Sequence, residues 1–476
     1  MLEVGVVLQA VAPSGPASNA RPVCHALHIG RDGHCQAHKV TSRPLFAVLL
    51  VSGAKISNMG QSPIDSPAAT DRSEGFGERL LGTMIERAHE MPPQLIGPLV
   101  AEVISAIGGS DVTVFLQDYE QRALVPLPGR GLVVGQAEPI NGSDAGRAFL
   151  GDATVERAVD AGVRLFVPLL DGSDRVGVLA FTMARLDEND RRLARRFAGL
   201  LADVLVTKGT YTDRFFQARR QQPMSLSAEM QWSLLPPLMM TTPQVAVAGI
   251  LEPAYDVAGD SFDYALNDDV LHLAIIDAMG HGLEAAVMAT VAVAAYRHAR
   301  RADVDLPDIY AAMDQAIAGQ FDEDRFVTAQ MARLDVTNGR LQWVNAGHPQ
   351  PLLIRGGKVV RALRSATTLP VGIGGDTPHV SEESLQPGDR VLFFTDGIIE
   401  EHSHGGGEEF GIERLVAELE RAERQDDAVQ VMVRRLSHAL MRERGGATSD
   451  DATLFLLEWR DEDADHLTKI DKPSTG

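Results

Sequence analysis

Aspartates recur directly beside predicted strands or glycine turns in the second half of this 476-residue sequence. Four segments show the pattern: YDVAGDSFD (255–263), IIDAMGHG (275–282), VLFFTDGIIEE (391–401) and TSDDATLFLLEW (448–459). The apolar residues predict buried strands, and the glycines allow sharp turns beside the carboxylates. Carboxylates that converge in a fold repel one another unless cations neutralise them. Because neither cysteine nor clustered histidine accompanies them, Mg²⁺ or Mn²⁺ is favoured over zinc.

The composition argues against several classes of protein. The formal net charge of -21 is unsuited to a nucleic-acid partner, which attracts a basic face. Cys24 and Cys35 are the two cysteines of the sequence, and the absence of a disulfide framework indicates a reducing compartment. The apolar run at 44–51 is far shorter than the roughly 20 residues that cross a bilayer. We therefore expect a cytoplasmic protein with no nucleic-acid and no membrane partner.

Changes in sequence texture predict five parts of the chain. Residues without a sustained period predict a poorly ordered extension, although Met59 leaves open whether the first 58 residues are translated. The expected parts are the extension (1–77), a sensory domain (78–208), a helical linker (209–238), a catalytic domain (239–460) and a polar tail (461–476).

The part at 78–208 resembles a GAF sensory domain in the order of its predicted elements. A helical stretch is followed by strands, by a short helix near Ala145 to Leu150, and by two strands joined at Asp171–Asp174. A long helix then closes the part at 188–208. The resemblance implies either a small ligand held between sheet and helices, or a domain that only transmits signals or dimerises.

The linker contains an apolar stripe at helical spacing. Leu226, Met230 and Leu234 are four residues apart and share one face of a predicted helix. The stripe either pairs two chains as a homodimer or forms the edge of an ordinary core.

The carboxylate segments, taken in order, resemble the PPM-type (protein phosphatase 2C-like) protein phosphatases of the bacterial SpoIIE/RsbU branch. FVTAQMARLD (326–335), NAGHPQPLL (345–353), LPVGI (369–373) and LQPGDRVLFFTDG (385–397) extend the resemblance over most of 239–460. The implied fold class is α+β: a GAF-like α/β sensory domain followed by a PPM phosphatase β-sandwich flanked by helices.

The resemblance also implies a site for two Mn²⁺ or Mg²⁺ ions. Asp277 would bridge the two ions, and the backbone carbonyl of Ala278 would bind one of them. Asp396 and Asp450 would be further ligands, and Asp260 would contact metal through water. Two such ions lower the pKa of a water molecule, so that no cysteine nucleophile is needed.

Other residues near these motifs have two readings each. Asp277, Asp260 and His281 are the candidate catalytic residues, and His281 would act as the general acid. Alternatively, His281 only caps the turn or braces the loop. Asp451 and Asp263 are additional carboxylates of the motifs. His402 and His404 either reach a metal ion or lie in a solvated loop.

The implied function is hydrolysis of phosphoserine or phosphothreonine on a regulatory protein, in this branch often an anti-sigma-factor antagonist. A predicted helix with Leu283, Val287, Val291 and Ala295 on one face begins at the metal turn. We hypothesise that the GAF-like domain acts on this helix through the linker. The alternative is a phosphatase-shaped binding module that has lost turnover and acts as a signalling scaffold.

Overall fold

The computed structural model describes the residues 27–29, 35–37, 74–172, 174–374, 377–400, 410–425, 427–444, 451–462, 464 and 467. The chain divides into two compact units, Met1–Ala68 and Ala69–Gly476. In the first unit, the described residues form two short antiparallel strands, β1 (Leu27–Ile29) and β2 (Cys35–Ala37). The predicted extension and tail lie largely outside the described residues. Within the described ranges, no helix is both long and apolar enough to cross a membrane.

The second unit begins with one sheet and its helices. In chain order these elements are α1 (Glu74–Glu90), α2 (Ile96–Ala106), β3 (Gly109–Gln117), β4 (Ala123–Pro126), β5 (Glu138–Pro139), α3 (Asp144–Gly151), β6 (Val155–Val159), β7 (Gly162–Asp171), β8 (Asp174–Met183) and α4 (Glu188–Gly209). Two short helices follow, α5 (Arg214–Arg219) and α6 (Leu226–Leu234).

The remaining elements form two further sheets with four helices. They are β9 (Met239–Thr241), β10 (Val245–Glu252), β11 (Asp260–Asn267), β12 (Val270–Ala278), α7 (Gly282–Arg301), α8 (Leu306–Ala318), β13 (Val327–Asp335), β14 (Arg340–Ala346), β15 (Leu352–Arg355), β16 (Lys358–Ala362), β17 (Thr367–Thr368), β18 (Ser381–Ser384), β19 (Arg390–Phe394), α9 (Gly411–Glu423), α10 (Val429–Arg444) and β20 (Ala452–Trp459).

The first sheet has the strand order β5-β4-β3-β8-β7-β6 and a core on each face. Residues alternate between the faces of a strand. Val114 and Leu116 therefore pack with α1, α2 and α4, whereas Phe115 packs with α3 on the opposite face. The long helix α4 begins with a capping box, in which the side chain of Asp187 accepts from the backbone of Asp190 and the Asp190 side chain accepts in return.

The other two sheets pack face to face and are covered by helices outside. Their orders are β16-β15-β19-β20-β10-β9 and β11-β12-β13-β14-β17, with β18 paired to β14. Phe262 of β11 and Phe455 of β20 meet between the sheets with ring centroids 5.3 Å apart. Helices α7 and α8 cover one outer face, and α9 and α10 cover the other. The expected mixture of helices and sheets is confirmed.

Helix α7 packs on its sheet through its smallest side chains. Ala285, Ala289 and Ala292 are buried against the sheet, because small residues allow the helix backbone to approach closely. Leu283 and Val287, which the sequence placed on the apolar face, are 48% and 38% exposed. The prediction of the packed face of this helix was therefore wrong for these two residues.

Candidate active site

The site is centred on a pair of carboxylates at one end of the β11–β12 hairpin. Asp260 opens β11 and is the direct antiparallel partner of Asp277 near the end of β12. The Oδ2 atom of Asp260 accepts hydrogen bonds of 2.7 Å from the hydroxyls of Thr395 and Thr453. Thr395 follows β19 and Thr453 lies in β20, so both sheets of the sandwich contribute to this point.

Asp451 holds the loop in front of β11. Its Oδ2 atom accepts the backbone N–H groups of Ala258 and Gly259 at 2.7 Å, and that of Asp260 at 3.4 Å. A carboxylate that receives several N–H groups fixes the loop as an anion-binding turn does. Asp451 therefore positions the segment that carries Asp260.

Burial and like charge make the carboxyl group of Asp260 unusual. Asp260 is only 1% exposed. Its pKa is raised well above the ordinary value, first by burial and then by the negative charges of Asp277 and Asp451, while the hydroxyls of Thr395 and Thr453 oppose the rise. A divalent cation would remove this repulsion, and its preferred ligands are carboxylate and carbonyl oxygens. The donor set present therefore fits Mg²⁺ or Mn²⁺.

Close backbone contacts set the positions of the other predicted ligands. A side chain at Gly259 would place its Cβ 2.5 Å from the carbonyl oxygen of Ala278, so only glycine fits beside that predicted ligand. Asp396 begins a short 3-10 turn directly after Thr395. The following Gly397 passes so close to Asp451 that an added Cβ would lie 1.8 Å from its carbonyl oxygen. The segments of Asp396 and Asp451 are thus adjacent.

Three sequence predictions concern residues that the structure does not describe. Asp450, His402 and His404 lie outside the described residues. In the described part of the chain, no group of three or more His, Cys, Asp or Glu side chains is arranged to hold a metal ion. The structure does bring Asp260, Asp277 and the segment of Asp396 to one place.

His281 and Asp263 differ in their surroundings from the carboxylate pair. His281 is exposed and occupies the N-cap position of α7, but its side chain makes no capping hydrogen bond. Asp263 is buried in an ion pair with Arg297 at 2.7 Å and with Arg300 at 2.6 Å. Asp263 therefore joins β11 to α7, and it is not a carboxylate of the site.

The sequence did not identify Thr395, Thr453 or Arg325 as parts of this region. Arg325 lies beside the DAMGHG turn, since its Nη1 atom is 3.9 Å from where a Cβ on Gly280 would stand. Its guanidinium pairs with Glu284 of α7 at 2.8 Å and is 30% exposed. In the sequence, Thr395 and Thr453 stand out only as members of the TDG and DDAT motifs. Arg325 lies in the loop before β13, which is distant in sequence from the DAMGHG turn.

Comparison with known proteins places this part of the chain in a family. Residues 267–460 match the family model of stage II sporulation protein E (SpoIIE). The phosphoserine phosphatase RsbU of Bacillus subtilis is 21% identical over 248 residues, which are 52% of this chain and 72% of RsbU. The phosphoserine phosphatase RsbP of the same organism is 24% identical over 192 residues, which are 39% of this chain and 47% of RsbP.

A solved structure of the RsbU and RsbW domains of Rv1364c from Mycobacterium tuberculosis is 28% identical. It covers 46% of this chain and 63% of that chain, with a TM-score of 0.41.

The matched segment defines a class of enzyme, the PPM-type protein serine/threonine phosphatases. Within that class the matched segment is similar to the SpoIIE/RsbU branch. The likeness covers less than half the length of RsbP and 34% of the sporulation protein of Priestia megaterium.

Proposed function

We propose that this protein is a Mn²⁺- or Mg²⁺-dependent phosphatase that hydrolyses phosphoserine or phosphothreonine on a regulatory protein. The observation that carries the proposal is the convergence of Asp260 and Asp277, paired across one hairpin, with Asp451 from a distant segment, next to the segment of Asp396. Such clustered carboxylates require a counter-charge, which divalent ions supply. Two relatives named phosphoserine phosphatases support the reaction.

The ions would be held by the side chains of Asp277, Asp396 and Asp450 and by the carbonyl of Ala278, with Asp260 acting through water. When bound, they would supply a nucleophilic water near neutral pH and neutralise charge on the phosphoryl group. Thr395 and Thr453 keep the buried Asp260 oriented, and Asp451 keeps its loop in place. Arg325 is the candidate to bind a phosphate oxygen, because a guanidinium is suited to that geometry.

An apolar stripe beside the site supports a protein substrate. Met279, Leu283 and Val287 are spaced four apart from the DAMGHG turn along α7, and each is between 38% and 48% exposed. Exposed apolar residues next to a reaction site are typical of surfaces that bind another protein. A phosphorylated anti-sigma-factor antagonist is the partner that the family relationship favours.

Contacts of α6 support regulation by the domain proposed as GAF-like at 78–208, through the linker at 209–238. Gln231 donates its side-chain amide to the carbonyl of Ala258, and Trp232 donates Nε1–H to that of Ala254 at 2.7 Å. Both acceptors lie in the segment that leads to Asp260. A displacement of α6 would therefore move the carboxylate loop of the catalytic domain proposed at 239–460. Leu226 is 64% exposed and is the candidate contact for a homodimer.

The reaction is tested by manganese-dependent hydrolysis of a phenyl phosphate by the full chain. Asp277→Asn should abolish the manganese-dependent rate. The matched control is Asp268→Asn in the turn at the other end of the same hairpin, where the positive φ of 50° also suits asparagine. A full rate in chelator, or an unchanged rate in Asp277→Asn, would contradict the mechanism. Binding of a phosphoprotein without any turnover would favour the scaffold alternative.

A further inference from the structure

A cavity of about 290 Å³ lies where the first sheet meets the linker and the start of the sandwich. Its walls come from the end of β3, the end of α4, helices α5 and α6, and the segment before β9. They are mainly apolar or aromatic, and include Leu116, Leu205, Phe215, Phe216, Trp232 and Leu238. This volume is close to the lower limit of about 300 Å³ for small-molecule pockets. None of its lining residues belongs to the four carboxylate segments.

One polar group on the wall has no partner. Gln117, the last residue of β3, lines the cavity and is 4% exposed. Its backbone carbonyl accepts a hydrogen bond of 2.7 Å from Nε of Arg219, but its side-chain Nε2 has no hydrogen-bond partner among the described residues. A buried amide N–H without an acceptor is costly, and native proteins rarely leave one. The wall therefore offers a donor that a ligand oxygen would satisfy.

Two charged side chains on the wall, Arg219 and Asp174, have opposite charges and interact with each other. Arg219 lies over the ring of Tyr119, with the guanidinium carbon 4.5 Å from the ring centroid. Burial raises the pKa of the Asp174 carboxyl, and the nearby charge of Arg219 opposes that rise. Arg175 also lines the cavity, but its guanidinium is paired with Asp152 at 2.7 Å. Because each charge on the wall already has an opposite charge near it, an ionic ligand would lack a counter-charge of its own.

The geometry points to a binding site for a small, neutral ring compound with one carbonyl oxygen, held between the aromatic walls and accepting a hydrogen bond from Nε2 of Gln117. Trp232 is both a wall of this cavity and the donor to the carbonyl of Ala254. The same side chain thus contacts the ligand space and the segment leading to Asp260. The site would give the linker a means of sensing a metabolite of this chemistry.

The test uses indole-3-acetamide, its carbonyl-free analogue 3-ethylindole and the ionised indole-3-acetate as probes. Binding to the full chain is measured by ligand-detected NMR titration without metal or phosphorylated substrate. We expect the amide to bind roughly ten-fold more tightly than the ethyl compound, because only the amide satisfies Gln117. In Gln117→Leu this preference should disappear.

Val206→Trp fills the mouth of the cavity and should remove binding of the amide. Thr207→Trp is the matched control, since Thr207 is the next residue of α4, is exposed and does not line the cavity. Equal binding in both tryptophan variants, or no binding of the amide to the unaltered chain, would overturn the site. Tighter binding of the acetate would overturn the assignment of a neutral ligand. Since no hydrolysis is measured, failure of the phosphatase proposal would leave these results unaffected.

Discussion

Asp260 and Asp277 face each other directly across the antiparallel pair of β11 and β12. Like charges at opposed positions of a sheet destabilise it. The chain surrounds the pair with the two threonine hydroxyls and adds a third carboxylate at Asp451, instead of a basic residue. The arrangement is unfavourable by itself and becomes favourable when a cation binds, which is the property that a metal-dependent hydrolase needs.

Asp451→Ala should weaken manganese activation roughly 10- to 100-fold, as loss of residues that support metal ligands does. The reason is that the N–H groups of Ala258 and Gly259 lose their acceptor and the loop before Asp260 loosens. The manganese concentration for half-maximal activity measures the effect. Asp451→Asn retains an amide oxygen as acceptor and should recover part of the affinity. An unchanged manganese requirement in Asp451→Ala would refute this positioning role.

Asp263→Ala should destabilise the fold by about 3–5 kcal/mol, because Arg300 is left buried without its partner. Urea unfolding of the metal-free protein measures the loss. Glu382→Ala is the control, since it breaks the exposed pair with Arg340 and should cost less than about 1 kcal/mol. In the folded fraction of Asp263→Ala, the manganese requirement should stay unchanged. A large rise in that requirement would instead make Asp263 part of the metal site.

Arg325→Gln should raise KM for a phosphopeptide about ten-fold, equivalent to one charge-assisted hydrogen bond of about 1.4 kcal/mol. The uncharged amide cannot replace the guanidinium beside the DAMGHG turn. Arg301→Gln, at the exposed far end of α7, is the control and should behave like the unaltered protein. If kcat fell with KM constant, the phosphate-binding role of Arg325 would be wrong.

Leu283→Ser should raise KM for the phosphoprotein several-fold while leaving hydrolysis of a phenyl phosphate unchanged. Only the large substrate would cover this exposed position on α7. Val360→Ser is the control, because Val360 is also exposed, at 53%, but lies on β16 in the other sheet. Equal effects on both substrates would exclude a docking role for the stripe.

His438 should make stability depend on pH. Burial, with help from the charge of Arg434, lowers its pKa to about 4, whereas an unfolded histidine has a pKa of about 6.5. The unfolded state therefore binds more protons between these values, so this contribution is complete above pH 6.5 and is lost as the pH falls toward 4.

His438→Gln should accordingly flatten the fall in unfolding free energy between pH 7 and pH 5, by about 2 kcal/mol. Urea unfolding at the two pH values measures it, with the exposed His298→Gln as control. A fall as steep as in the unaltered protein would show that His438 is not the titrating group.

Features that depend on neighbouring residues in the sequence could be predicted. Features that depend on contacts between distant segments could not. The turn between Asp171 and Asp174 follows from sequence neighbours alone, and its hairpin is present. The carboxylate segments were recognisable because each places acidic residues against a predicted strand or turn, and three of the four also contain glycine. Asp263 could not be separated from them, since its partners Arg297 and Arg300 lie on another element.

The packed face of α7 was mispredicted for a different reason. Hydrophobicity favoured Leu283 and Val287, but the close approach of the helix to its sheet selected alanines. The close fit of the helix against its sheet, more than the polarity of its side chains, determined which face packs inward. That fit depends on the sheet, which the sequence of the helix alone does not describe.

Strand β20 lies between β10 and β19, although it is the last strand of the described chain. During synthesis, β10 and β19 therefore leave the ribosome with one unpaired hydrogen-bonding edge each. These edges stay unpaired until residues 452–459 have been synthesised and pair with both strands. Folding of this half must be completed after translation has passed that strand. A nascent chain arrested shortly before β20 would expose the unpaired edges of two strands. Such a chain would be a substrate for chaperones or would promote aggregation.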